Sequence, residues 1–295
     1  MNCWINIYKA RGISSAKSLS IIRKAFNDKK VGHTGTLDLE AEGVLPVAVG
    51  EATKLVNVLM NAKKKYEFTI KFGSQTDTGD SAGTIINSTE HIPTREECYG
   101  ICAKFLGKIK QIPPKYSALK VNGQRAYKLA RDGKDLELPE RQVTIYDLKC
   151  VDYKTENSTA TYVCECSKGT YIRSLAEDIS LSLQSLGFVI ELRRLGVGIF
   201  NISNSLDLSD LSKLDLVDIK SFLQDRCLKI EDVLDDIPVL EANDITAKKI
   251  RFGQKCIFPD NNSDYELVWI RHKGQIVAVG SLLKNNFKSS RVFNL

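Results

Sequence analysis

Several features are missing from this chain of 295 residues, and each absence narrows what it can be. No apolar run approaches the ~20 residues of a membrane-spanning helix; the longest, such as Gly43–Gly50, are far shorter. The opening segment, MNCWINIYKARG, lacks a hydrophobic secretory core and enters strand-like alternation at once, so a soluble, cytoplasmic protein is expected. Histidine is confined to His33, His91 and His272. The eight cysteines are scattered, with no second pair at zinc-ribbon spacing, which argues against a disulfide framework and against a metal centre. The tightest pair, Cys164 and Cys166, falls where period two puts both on one strand face, as core thiols. There is no internal repeat, no low-complexity tract and no heptad, so a monomer is expected.

The composition that remains is that of a folded protein. Hydrophobic residues make up 43% and charged residues 26%, and a prior of ~150 residues per domain suggests about two domains. The net charge of +6 permits a polyanionic partner without demanding one. Its distribution is uneven. From Lys104 to Lys134 nine basic residues face a single acid, Asp132, whereas Ser205–Asp236 holds nine acids and four bases. A basic run is most often a solvated face; the sharper reading is a phosphate-facing loop.

Periodicity outlines the organisation. Trp4–Lys9 reads as a strand, Ser14 and Ser15 as a helix start, and Leu19, Ile22 and Phe26 as that helix's apolar stripe. After a Gly-rich loop, Gly32–Gly35, a second helix would carry Leu55, Val58, Leu59 and Ala62. Tyr66, Phe68, Ile70 and Phe72 alternate with Glu67, Thr69 and Lys71, the pattern of a half-buried strand. Strands over Gln142–Asp152 and Thr159–Ser167 lead into a helix bearing Leu175, Ile179, Leu183 and Leu186. Strands and helices do not alternate regularly, which favours an α+β fold with a mixed sheet. The last sixty residues change character, with strands Tyr265–Arg271 and Gln275–Leu283 joined at Gly274.

Four clusters hold special residues. Gly32-His-Thr-Gly-Thr-Leu-Asp38 lacks the Lys-Ser/Thr of a P-loop, and spacing alone favours a turn in which Asp38 caps a helix, a reading that Ala41 supports only in part. Ser14-Ser-Ala-Lys17 matches Ser-x-x-Lys without the partner motifs of acyl-transfer enzymes. Thr76-Asp-Thr-Gly-Asp80 reads as a turn and lacks the terminal Glu of a calcium loop. Gly169-Thr-Tyr-Ile-Arg173 puts an arginine that needs a carboxylate beside an aromatic ring.

Taken in order, these blocks resemble the TruB-type tRNA pseudouridine synthases over essentially the whole chain. The resemblance is carried by Gly32–Asp38, Gly43-Val-Leu-Pro46, Gly50-Glu-Ala-Thr-Lys54, Lys65-Tyr66, Thr76–Asp80, Gln111-Ile-Pro-Pro-Lys-Tyr-Ser-Ala-Leu-Lys120, Gly169–Arg173 and Leu192-Arg-Arg-Leu195. It implies a largely antiparallel mixed-sheet catalytic domain over residues 1–237 and a small β-rich PUA-like RNA-binding domain over 238–295. The implied activity is isomerisation of uridine 55 in the tRNA T loop to pseudouridine, with no cofactor and no metal.

The resemblance also implies roles. Asp38 would be the catalytic carboxylate, attacking C1′ or C6 or assisting C2′ deprotonation. Tyr66 would stack on the base and serve the final proton transfer from C5. Arg173 would pair with Asp38, with Asp80 in the same network. Tyr171 and Leu192 would line the base pocket, and His33 would fill the stack vacated by the flipped base. The basic loop, about 108–134, would close on RNA, with Lys115, Lys120, Arg125 and Lys128 on phosphates, and the C-terminal domain would meet the acceptor end. Leu39, Glu42 and Ala10 depart from the family pattern, and Glu40 and Glu42 put negative charge near Asp38. A non-catalytic RNA-binding protein on the same scaffold, and a nucleotide-dependent transferase using Gly32–Gly35, are the competing readings.

Overall fold

Tyr66, Phe68, Ile70 and Phe72 lie on one face of the strand Lys64–Phe72, as their spacing predicts, and this strand sits inside a large sheet. The computed structural model describes residues 1–27, 30–121, 123–133, 136–208, 216–259, 261 and 263–295. Lys134 of the basic run and residues 209–215 of the acidic stretch lie outside them.

Among the described residues the main sheet runs Leu206–Asp207, Cys3–Lys9, Glu42–Val49, Gly187–Val197, Lys64–Phe72, Thr159–Cys166, Arg141–Lys154, Gly107–Gln111. Val31–His33 and Phe200–Asn201 pair onto its side. Two junctions are parallel and the rest antiparallel, so the architecture is the expected α+β fold with a mixed, largely antiparallel sheet.

The parallel junction inside the sheet is brief although both of its strands are long. Glu42–Val49 and Gly187–Val197 share only two residue pairs, Glu42 with Arg193 and Gly43 with Arg194. Further along, the first strand pairs with Val31–His33 and the second with Phe200–Asn201. The sheet is thus two halves joined at a short seam. One half packs Phe68, Ile70 and Tyr162 under the helices Arg95–Gly100 and Ile172–Ser182. The other packs Ile5, Ile7, Leu45 and Val47 under the helices Ser15–Ala25 and Leu216–Gln224. Tyr66 and Leu192 touch both cores.

Cys3–Lys9 is buried along most of both faces, and Trp4 on the second face enters a third core. There Trp4, Val44 and Leu59 pack against Trp269 and Phe293 from the C-terminal sheet. That sheet has five strands, with the helix Asp244–Arg251 laid on it, and fits a PUA-like architecture. Its central hairpin turns at Lys273 and Gly274, both with positive φ (50° and 78°), the geometry a two-residue hairpin requires.

Local expectations differ from the structure in four places. Gly32 and His33 lie in a strand, since the edge left by Glu42–Val49 beyond the seam is completed by Val31–His33. The second helix is a 3-10 turn, Gly50–Leu55, followed by Val56–Met60, so Ala62 lies past its end. The helix Ile172–Ser182 stops before Leu183 and Leu186, with Gln184 in the left-handed region (φ 56°). The basic segment is not an open loop: it contains the strand pair Lys120–Val121 and Gln124–Arg125 and the helix Ala126–Arg131.

The seam explains one glycine. Gly43 has φ +113°, and a Cβ there would lie 2.3 Å from the Arg194 carbonyl oxygen. Gly43→Ala is expected to lower stability by about 2–4 kcal/mol, seen as a lower urea midpoint at unchanged slope; an unchanged midpoint would show that the two strands can part without cost.

Candidate active site

The Asp38 loop gets its shape from outside itself. The Ser15 hydroxyl donates to the Leu37 carbonyl (3.1 Å) and accepts from the Leu37 amide (3.0 Å), and the Gly12 amide donates to the Leu39 carbonyl. Asp38 caps no helix, contrary to its spacing; the strand Glu42–Val49 follows instead. Its side chain is 47% exposed, and Oδ2 lies 2.8 Å from Nη2 of Arg173.

Arg173 is itself only 5% exposed. Nη1 donates to the Thr78 carbonyl (2.9 Å) and lies 3.4 Å from Asp80 Oδ2, while Nη2 also donates to the Tyr116 carbonyl (3.0 Å). Asp80 is oriented in turn by the Thr78 hydroxyl and the Ala82 amide. Two carboxylates and two carbonyls therefore surround one buried guanidinium, the arrangement that makes a buried cation tolerable.

Arg173 is held at the start of its helix by Gln111, which is 1% exposed. Gln111 donates Nε2–H to the Tyr171 carbonyl (3.0 Å) and accepts from the Tyr171 amide at Oε1 (2.8 Å). The Arg141 guanidinium lies 5.0 Å from the Tyr171 ring centroid.

Tyr66 faces Cys164 on one neighbouring strand and Arg194 on the other. Cross-strand partners share a face, so the buried Arg194 lies beside Tyr66 and its charge acts on the phenol. Arg194 donates to the carbonyls of Val44 (2.8 Å) and Gly35 (3.1 Å), tying Tyr66 to the Asp38 loop. Burial pushes the Tyr66 phenol pKa up, and the Arg194 charge opposes this.

Asp38, Tyr66, Tyr171, Arg173 and Leu192 line one pocket with about 450 Å³ of open space. A second cavity shares Asp38, Arg173 and Leu192 with it and adds Asp80. The structure thus brings these six residues together. It does not bring His33 with them: His33 sits in Val31–His33, its Nδ1 accepting from the Gly35 amide and its pKa lowered by burial and then by Arg194. Lys115, Lys120, Arg125 and Lys128 are exposed and outside both cavities. Their segment is nonetheless anchored at the site, through Arg173 to Tyr116 and through the Ser174 hydroxyl to the Ile112 carbonyl. Glu40 and Glu42 do not stand as free charges: Arg11 pairs with the first (2.9 Å) and Arg193 with the second (2.6 Å). Among the described residues no cluster has the makings of a metal site.

Three contributors carried no role in the sequence reading. Arg194 and Gln111 stand in matched blocks, but their contacts follow from register and packing. Lys9 was noted only beside Ala10, although a lysine closing an otherwise buried strand was a signal. It is fully buried, donates to the Ala10 and Ile13 carbonyls, and has its pKa lowered to about 8 by burial, with Asp38 opposing.

Residues 23–172 match the family described as TruB family pseudouridylate synthase (N terminal domain). The tRNA pseudouridine synthase B of Rickettsia bellii (strain OSU 85-389) is 60% identical over 295 residues, covering 99% of this chain and 98% of that protein. The chain belongs to the TruB family of pseudouridylate synthases. Another TruB-family relative, the tRNA pseudouridine synthase B of Rickettsia akari (strain Hartford), is 57% identical, covering 100% and 99%. The fold is also that of a chain in a Cbf5-Nop10-Gar1 complex, with a TM-score of 0.74 at 22% identity, covering 99% of this chain and 84% of the other.

In this TruB-family isomerase, Arg173→Lys keeps a cation but loses the planar fork that serves four acceptors. It is expected to lower kcat about 100-fold or more while KM changes less than tenfold; comparable loss in both would assign Arg173 to substrate binding instead.

Lys9 makes a pH prediction. Its pKa is about 8 in the folded chain against 10.5 for the free side chain, so between these values the unfolded chain binds more protons and stability rises with pH. From pH 8 to 10 the wild type should gain on the order of 1–3 kcal/mol over Lys9→Met in urea unfolding; parallel profiles would show that Lys9 titrates normally.

Proposed function

We propose that this enzyme converts uridine 55 in the T loop of tRNA to pseudouridine, with Asp38 as the catalytic carboxylate. The observation that carries this reading is the 2.8 Å Asp38–Arg173 pair at the mouth of a pocket walled by Tyr66, Tyr171 and Leu192. The reaction detaches uracil from C1′ at nitrogen, turns it, and rejoins it at carbon. It is a redox-neutral rearrangement, so the residues required are a carboxylate for the ribosyl–uracil unit and a pocket that keeps the loosened base. Arg173 orients Asp38, leaving the half-exposed carboxylate to face substrate.

The target uridine is flipped from its loop at a cost of a few kcal/mol, recovered by stacking in the pocket. Tyr66 supplies one wall and takes part in the final proton transfer from C5; the Arg194 charge offsets part of the cost of charge on its phenol. His33, one loop from the pocket, fills the gap in the RNA stack. Tyr171 and Leu192 hold the base, and Asp80 completes the Arg173 network.

Residues 1–237 form the catalytic domain and 238–295 the PUA-like domain, which takes the acceptor end. The basic segment, about 108–134, lies along the T arm, with Lys115, Lys120, Arg125 and Lys128 on phosphates. The relatives' names as tRNA pseudouridine synthase B support tRNA as the substrate. The enzyme works as a cytoplasmic monomer without a nucleotide or metal cofactor.

The test uses an unmodified tRNA transcript, with product read by carbodiimide labelling and primer extension because isomerisation leaves the mass unchanged. Wild type should produce a stop at the T-loop uridine, and Asp38→Ala none, with RNA affinity within about threefold. A stop elsewhere would overturn the site assignment. No stop with intact binding would favour the RNA-binding scaffold over the enzyme.

A further inference from the structure

We propose that Cys3 and Cys227 form a redox-active dithiol that closes to a disulfide on exposure to a low-molecular-weight disulfide such as oxidised glutathione. Their sulfur atoms lie 2.7 Å apart although 224 positions separate them in sequence. The backbone beside them is fixed, because Trp4 and Leu228 exchange both of their N–H···O=C bonds at 2.9 Å. Bond formation asks the two sulfur atoms to close from 2.7 Å to the ~2.05 Å of a disulfide beside this held backbone.

Exposure and chemistry single out this pair. Cys227 is partly exposed, while each of the other seven cysteines is buried. Its thiol pKa is held below the ordinary value chiefly by the hydrogen bond from Cys3, against the effect of burial. Burial raises the thiols of Cys98, Cys102, Cys150 and Cys256, so those groups hold less of the reactive thiolate. Cys164 and Cys166 also lie close together, but both are fully buried.

The steps balance. The Cys227 thiolate attacks one sulfur of oxidised glutathione, forming a mixed disulfide and expelling one glutathione thiolate. Cys3 loses its proton and attacks Sγ of Cys227, forming the intramolecular disulfide and expelling the second glutathione thiolate. Two protein thiols are oxidised and one glutathione disulfide is reduced to two thiols.

The bond would join the first residue of Cys3–Lys9 to the segment just after the helix Leu216–Gln224, across the core where Ile5 and Ile7 meet Ile219 and Leu223. A cross-link over so long a stretch restricts the unfolded chain strongly. It touches no group lining the Asp38 pocket.

The experiment treats the reduced full-length protein with oxidised glutathione, quenches with an alkylating agent, and maps peptides without reduction. The expected result is a Cys3–Cys227 linked peptide, a loss of two of eight titratable thiols, and a thermal midpoint several degrees above that of the reduced protein. Cys3→Ser should stop at a glutathione adduct on Cys227, and Cys227→Ser should form no internal disulfide. Two results would overturn the proposal: a wild-type adduct on Cys227 that never closes onto Cys3, or a first disulfide between Cys164 and Cys166. Retention of all eight thiols under conditions that oxidise a model dithiol peptide would also overturn it.

Discussion

Arg173 organises the site because its guanidinium is shared by segments that have nothing else in common. Asp38 comes from the irregular stretch before Glu42–Val49, Thr78 and Asp80 from the turn after Ser74–Thr76, and Tyr116 from the root of the basic segment. A cation at 5% exposure is costly unless its donors are all engaged, and removing one partner leaves charge stranded at a cost of about 3–5 kcal/mol. Each segment is therefore held in place by the requirement to satisfy one buried group. The carboxylate that would do chemistry is oriented by the same requirement, and the basic segment is coupled to it through the Tyr116 main-chain carbonyl.

The second constraint is the seam. If Glu42–Val49 and Gly187–Val197 paired along their whole length, the sheet would close over the place where Tyr66 and Leu192 meet Asp38. Two residue pairs hold the halves together, and the backbone contact at Gly43 and Arg194 is too close for any side chain at position 43. Arg194 then spans the junction, donating to carbonyls of the Asp38 side while its charge acts on the Tyr66 phenol on the other. A pocket at such a junction gains rigid walls from two cores without needing a cavity inside either.

Much of this was legible from residues alone, and the divisions are physical. Tyr66–Phe72 alternates strictly and is a strand; Lys273-Gly274 is a turn because two consecutive positive φ angles admit few other residues. Both signals are local. Asp38 shows the opposite case: its spacing resembles a helix cap, yet Ser15, far off in sequence, sets its loop through Leu37. His33 read as loop because glycines flank it, whereas strand pairing with Val47 decides its place. Gln111 and Arg194 act through contacts made 60 and 150 positions away, which no pattern in one chain reveals. The family resemblance supplied Asp38, Tyr66, Tyr171 and Arg173 as a set; only the fold shows which of the resemblance's residues share a pocket.

The placement of charge follows from the same geometry. A carboxylate that must meet a polyanion needs positive charge nearby, yet exposed lysines at that spot would draw phosphates into the space the target base must occupy. Here the compensating cations are buried: Arg173 at 2.8 Å, Lys9 within electrostatic reach from beneath, and Arg194 one hydrogen bond from the loop. Buried cations act through a medium of low dielectric, so they are screened little by salt and need not be numerous. Glu40 and Glu42, which would otherwise work against RNA approach, are each matched by an arginine at the rim. Lys115, Lys120 and Lys128 are exposed on the basic segment instead, outside the pocket. The two sets of cations are thus kept apart, one around the carboxylate and the other on the exposed basic segment, and it is the seam and the Arg173 hub that make this separation possible.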